Sequence, residues 1–192
     1  MIEQKRIQRL AALFLLLASL LACGIGPKEA DMPKPPEGHI APKEEASQRV
    51  KTNLNQSLQE ATGKYEARFR ITNEEITSIV ADALQQRADI PFSEPQIWFT
   101  AGKMYVTGQL EGVGPTSLPA LIVAIPKVND KGQLEIEIEK AQMSNFDFPD
   151  SAIESLTQTA NETLADLQLD IQITAIEVLE GEMIVAGKRV GE

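Results

Sequence analysis

Cysteine, histidine and tryptophan each occur once in this chain of 192 residues, as Cys23, His39 and Trp98. A single cysteine excludes an internal disulfide, so a folded domain has to rely on its apolar core. Nucleophilic mechanisms that pair serine or cysteine with histidine need an ordered histidine, and a zinc site needs several histidine or cysteine ligands. The sequence therefore predicts no enzyme, no metal site and no cofactor.

Basic side chains are also few, 18 against 28 acidic ones, and the net charge is −10. Residues 1–22 hold three basic side chains and one acidic side chain, so the net charge of the chain without them is −12. Nucleic acid and anionic lipid surfaces are themselves negative, which disfavours electrostatic binding to either.

The longest apolar run covers residues 10–22, 13 residues in which only Ser19 is polar. A bilayer span takes roughly 20 apolar residues, whereas a short run after a basic start is typical of a signal peptide. A signal peptide is therefore predicted for residues 1–22.

The end of the run, Leu20-Leu21-Ala22-Cys23, resembles the processing site of bacterial lipoproteins. By this resemblance, we expect Cys23 to become the new N-terminus and to carry a diacylglycerol thioether, with two or three acyl chains such as palmitate in all. These chains would anchor the protein to the extracytoplasmic face of a bacterial cell membrane. The alternatives are a plain signal with an incidental cysteine, or a buried thiol.

Composition divides the rest of the chain into three parts. Residues 23–43 hold five prolines and many charges, which predicts an extended, solvated linker behind the anchor. Residues 44–62 fit a helix with one narrow stripe of Val50, Leu54 and Leu58, either a stalk or a docking helix. Residues 63–192 are long and apolar enough for one domain.

Two segments of that domain, 79 residues apart, look alike: QIWFTAGKMYVTGQL (96–110) and AIEVLEGEMIVAGKRV (175–190). Each reads as a hairpin with a glycine in a two-residue turn, which pairs Phe99 with Met104 in the first. A helix with a capping box precedes each hairpin, beginning at Thr72 and at Ser151.

Three further strands are predicted between and after these units. Residues 118–126 are apolar on both faces, whereas residues 134–143 and 169–178 alternate between apolar and polar. The predicted fold class is α+β, with a curved antiparallel β-sheet wrapped over two helices and a pseudo-repeat of helix plus β-hairpin.

The segments FRIT, NEEITSIVADAL, IWFTAGKMYVTGQLEG, LIVAIPKVNDKGQLEIEIEKAQMSNFDFP and IEVLEGEMIVAGKRV occur in this order over residues 69–190. Together they resemble the LmeA-like and YpmS-like phospholipid-binding envelope proteins. The resemblance implies an exported or membrane-tethered protein. It also implies a sheet wrapped around a long helix, as in tubular lipid-binding domains, with an apolar cleft that takes acyl chains.

Candidate lipid-binding residues are apolar positions of the strands and of the first helix. They are Leu121, Val123, Ile125, Ile122, Ile79 and Phe99. On the strand at residues 118–126, Ile122 shares a face with two alanines, and small residues there would leave room for a chain. A densely packed core is the alternative for this strand.

Trp98 and Tyr105 form a predicted cross-strand pair on the face opposite Phe99. They make a candidate contact patch for a membrane or a protein, unless helix 44–61 covers them.

Two functions fit these observations. The first is a membrane-anchored extracytoplasmic lipoprotein that binds phospholipid or similar acyl ligands in an apolar groove. The second is an envelope protein-interaction or assembly factor with a solid core and no ligand.

Overall fold

The computed structural model describes residues 32–60, 66–86, 90–111, 117–165 and 171–189. Residues 32–192 form one compact unit. Cys23 and the predicted signal peptide lie outside the described residues.

The described residues form three helices and eight strands. The helices are α1 (Glu44–Glu60), α2 (Asn73–Gln85) and α3 (Asp150–Ala165). The strands are β1 (Ala67–Thr72), β2 (Phe92–Thr100), β3 (Lys103–Leu110), β4 (Leu118–Val128), β5 (Leu134–Met143), β6 (Phe146–Asp147), β7 (Ile171–Val178) and β8 (Glu182–Arg189).

The fold is α+β, as predicted, with its strands in two antiparallel sheets rather than one. Sheet A has the order β1-β8-β7 and sheet B the order β2-β3-β4-β5-β6. The two predicted hairpins fall in different sheets, β2–β3 in sheet B and β7–β8 in sheet A. β1 pairs with β8 and thereby joins the beginning of the domain to its end.

The hairpin registers are those that the sequence predicts. Phe99 pairs with Met104 and Trp98 with Tyr105 in the first hairpin, and Val178 pairs with Met183 in the second. Ala101 and Gly102 both have positive φ, 50° and 79°, as a type I′ turn requires.

One of the two predicted capping boxes forms. The Thr72 hydroxyl accepts a hydrogen bond from the Glu75 amide, and the Glu75 carboxylate accepts one from the Thr72 amide. The prediction at Ser151 is wrong, because α3 begins one residue earlier, at Asp150. The amides of Ala152 and Ile153 donate to the Pro149 carbonyl, so Ser151 already lies inside the first turn.

The main core lies where the two sheets meet. Phe99 of β2 is fully buried together with residues of β7 and β8. Leu54 and Leu58 of α1 pack against this cluster. The predicted stripe therefore belongs to a docking helix rather than to a free stalk.

Part of the proline-rich segment contacts the domain, which differs from the solvated linker predicted. The Ile40 amide donates to Gln96 Oε1 over 2.7 Å, and Gln96 Nε2 donates to the Ile40 carbonyl over 3.0 Å. The Lys43 amide donates to the Ser78 hydroxyl. The reason is that the Gln96 amide offers both a donor and an acceptor to extended backbone.

Two ion pairs to Glu74 of α2 involve Lys43, at the end of this segment, and Arg49 of α1. Lys43 Nζ lies 2.5 Å and Arg49 Nη2 lies 2.7 Å from the Glu74 carboxylate. The hydrogen bond from Lys43, followed by that from Arg49, lowers the pKa of Glu74 below its ordinary value of 4.5. The two ion pairs therefore stabilise the fold fully at pH values above 4.5. Their contribution is lost as the pH falls through the lower pKa that Glu74 has in the folded protein.

We therefore expect Glu74→Gln to remove part of the acid sensitivity of folding. The pairs are partly exposed, so the expected difference in the free energy of unfolding at neutral pH is about 0.5 kcal/mol. Thermal unfolding between about pH 6 and pH 3 measures it in both proteins. Identical pH profiles would show that these ion pairs contribute nothing to stability.

Candidate functional site

An apolar groove of about 510 Å³ lies between one face of sheet B and the first two turns of α3. Eleven described residues line it: Phe92, Leu110, Ala120, Leu121, Ile122, Ala141, Gln142, Phe148, Ala152, Ser155 and Leu156. The volume lies within the range of about 300–1,000 Å³ that is usual for small-molecule sites.

The groove exists because small residues face one another across it. Ala120 and Ile122 project from the same face of β4, and Ala141 of β5 is directly opposite Ile122. Ala152 of α3 lines the helical side. Alanine side chains cannot fill the space between a sheet and a helix, which leaves room for a ligand.

Phe92 forms the wall at the β2 side of the groove. Gly108 makes this possible, because a Cβ atom there would lie only 2.4 Å from the Phe92 ring. Phe92 also lines a second cavity of about 490 Å³, next to His39 and Pro42 of the proline-rich segment. The opposite wall is Phe148, whose ring makes an edge-to-face contact with Phe146 at a centroid distance of 6.2 Å.

None of the eleven lining residues is charged, and only Gln142 and Ser155 are polar. The described residues hold no group of three or more histidine, cysteine, aspartate or glutamate side chains placed to bind a metal ion. The groove is therefore suited to an uncharged apolar group and offers little to a charged one.

The candidate lipid-binding residues fall in different places. Ile122 and Leu121 line the groove, although they project from opposite faces of β4. Val123 is buried, and Ile125 is partly buried. Ile79 lies partly buried on α2.

Phe99 is not in the groove. Its side chain is 0% exposed and is packed among residues of both sheets. The structure thus places Phe99 in the packed core and not along the groove, and its contact with a lipid stays a prediction.

The candidate contact patch is half buried. Trp98 and Tyr105 stack with ring centroids 5.3 Å apart, as their cross-strand pairing predicts. Trp98 is only 2% exposed, whereas Tyr105 is partly exposed. Tyr105 is thus the accessible half of the pair, and a flat aromatic patch is not presented.

Sequence reasoning missed Phe92, Phe148, Ala141 and Leu156 as groove residues. Ala141 could have been predicted, because a small residue directly opposite Ile122 on the next strand widens the space beside the alanines of β4. The two phenylalanines and Leu156 carried no such signal, because only the tertiary placement of α3 and the strand ends brings them to the groove.

No helix of the described residues has the length and apolar character that crossing a bilayer demands. Comparison with protein-family models, with curated proteins and with solved structures gave no match for this chain.

Proposed function

We propose that this chain is a membrane-anchored extracytoplasmic lipoprotein that binds phospholipid or a similar acyl ligand in the groove between sheet B and α3. The observation that carries the proposal is the uncharged, mostly apolar lining of a cavity of about 510 Å³. Each buried methylene of an acyl chain contributes roughly 0.8 kcal/mol, so burial of the chain drives binding without any chemical step.

The polar headgroup of such a ligand stays outside the groove. A charged phosphate would need charged or several polar partners, and the lining supplies only the side chains of Gln142 and Ser155. The ligand is therefore held by its apolar part, and selectivity among headgroups is expected to be low.

The sequence supports this function independently of the groove. Cys23, if acylated, keeps the domain at a membrane, which is the source of the ligand. The resemblance to phospholipid-binding envelope proteins points to the same class of ligand.

Ala152→Glu tests the proposal. The substitution places a carboxylate in the groove near the start of α3, where acidic residues are otherwise tolerated. Residues 32–192 are purified and extracted with organic solvent, and the lipid is quantified by mass spectrometry. We expect stoichiometric phospholipid with the unaltered sequence and a decrease of about tenfold or more in the variant.

Ser151→Glu is the matched control, since it adds the same charge to the same helical turn at an exposed position. It should retain the lipid. A well-folded domain that carries no lipid and takes up none from added phospholipid would refute the proposal. So would equal lipid content in the two variants.

A further inference from the structure

The exposed large apolar side chains of the described residues lie close to the groove. They are Ile90, Phe146 and Leu156, with exposed fractions of 39%, 61% and 38%. Leu156 lines the groove, and Phe146 contacts Phe148, which also lines it. Ile90 is two residues before Phe92, the other wall of the groove. We call these three residues the apolar tip.

Strand order explains why Ile90 and Phe146 reach the same end of the sheet. β2 and β4 begin at this end, and β3 and β5 finish there, because successive strands of sheet B are antiparallel. Ile90 precedes β2, and Phe146 of β6 follows β5 directly. Four strand spacings separate β2 from β6, so the two side chains stand roughly 19 Å apart, on either side of the groove.

We propose that the apolar tip inserts into the surface of a phospholipid bilayer and opens the groove directly to the membrane. This inference rests on the proposed function, because the purpose of the membrane contact is to let the lipid enter and leave the groove. The physical reason is the position of the tip, because exposed apolar side chains are usually scattered singly, whereas these three lie in or near the lining of one apolar groove.

The exposed area argues for a bilayer rather than a protein partner. The three partly exposed side chains offer on the order of 300 Å² of apolar surface between them. A specific protein interface buries roughly 800 Å² on each partner. Shallow insertion of a few apolar side chains among lipid headgroups has no such minimum area.

The charged side chains at this end of sheet B favour a neutral bilayer over an anionic one. Glu111, Asp147 and Asp150 are exposed beside the strand ends and the start of α3. Among the described residues at this end, the nearby cation is Lys140, and its ammonium lies 3.5 Å from the Asp147 carboxylate. The excess of negative charge repels anionic lipid headgroups, so insertion depends on the apolar side chains and not on basic residues.

Tryptophan reporters test this contact in the full-length chain, reconstituted into vesicles of phosphatidylcholine with brominated acyl chains. Bromine quenches only nearby indole rings, and the native Trp98 is buried. We expect a loss of fluorescence for Phe146→Trp and for Ile90→Trp, relative to the unaltered protein. Lys131→Trp is the matched control, because it places a tryptophan at the exposed turn on the opposite end of sheet B, between β4 and β5.

Equal quenching of the Lys131→Trp protein would overturn the proposal, since the contact would not be specific to the tip. Absence of quenching in both tip variants, with unchanged circular dichroism, would also overturn it. Replacing part of the phosphatidylcholine by phosphatidylglycerol should weaken the quenching. Stronger quenching with phosphatidylglycerol would overturn the assignment to a neutral surface.

Phe146→Ser then links the tip to lipid loading. We expect transfer of phospholipid from vesicles into the domain to slow by roughly tenfold, because the serine variant loses the burial of one phenylalanine side chain. An unchanged loading rate would overturn the role of the tip in lipid entry. Quenching is read without regard to groove occupancy, so a failure of the proposed function and a failure of tip insertion are separate results.

Discussion

Phe99→Ala should destabilise the domain by about 3–5 kcal/mol, the usual cost of truncating a fully buried phenylalanine. Phe99 is 0% exposed and lies in the cluster that joins β2 to β7 and β8. Its truncation leaves a cavity at the junction of the two sheets, where few neighbouring side chains can move in to fill it. Small domains are stable by only about 5–15 kcal/mol, so this variant is expected to be close to unfolding.

Urea unfolding measures the change, and Phe146→Ala is the matched control. It removes the same atoms from a side chain that is 61% exposed, and its expected cost is below about 1 kcal/mol. The experiment also separates two roles for Phe99. A ligand-contacting residue would lose bound lipid at nearly unchanged stability, and that result would contradict the core position assigned here.

The hairpins were predictable from sequence because their determinants are local. A glycine in a two-residue turn sets the register, and alternation then places Phe99 opposite Met104 without any distant information. The division into two sheets was not predictable in this way. It depends on the pairing of β1 with β8. The paired residues, such as Ala67 and Gly187, lie close to the two ends of the domain sequence.

The groove was predictable in part. Alternation along β4 put Ile122 on a face with alanines, and the space predicted beside small residues is where the groove lies. The side chains that close it come from a strand end, from the segment before α3 and from α3 itself. No pattern in one sequence states which strand face a distant helix will cover, so Phe92 and Phe148 could not be assigned.

The edge of β2 explains why α2 lies where it does. An outer strand exposes unpaired amides and carbonyls, which have to be satisfied or blocked. The Thr77 hydroxyl accepts from the Ile97 amide and donates to the Ile97 carbonyl, both over 3.0 Å. Asn73 Oδ1 accepts from the Phe99 amide, and Pro95 has no amide hydrogen to satisfy.

The edge of β5 is satisfied in the same way by Asn161 of α3. Its side-chain oxygen accepts from the Ile136 amide, and its side-chain nitrogen donates to the Ile136 carbonyl.

Thr77→Val should therefore cost about 3 kcal/mol, although valine has nearly the same shape as threonine. Thr77 is 0% exposed, so the variant leaves both polar groups of Ile97 buried without a partner. Urea unfolding at an unchanged m-value measures the loss, and amide hydrogen exchange at Ile97 should accelerate beyond that of its neighbours. Thr77→Ser retains the hydroxyl and should cost less than about 1 kcal/mol. A serine variant less stable than the valine variant would mean that the methyl group, and not the hydroxyl, holds α2 against the edge of β2.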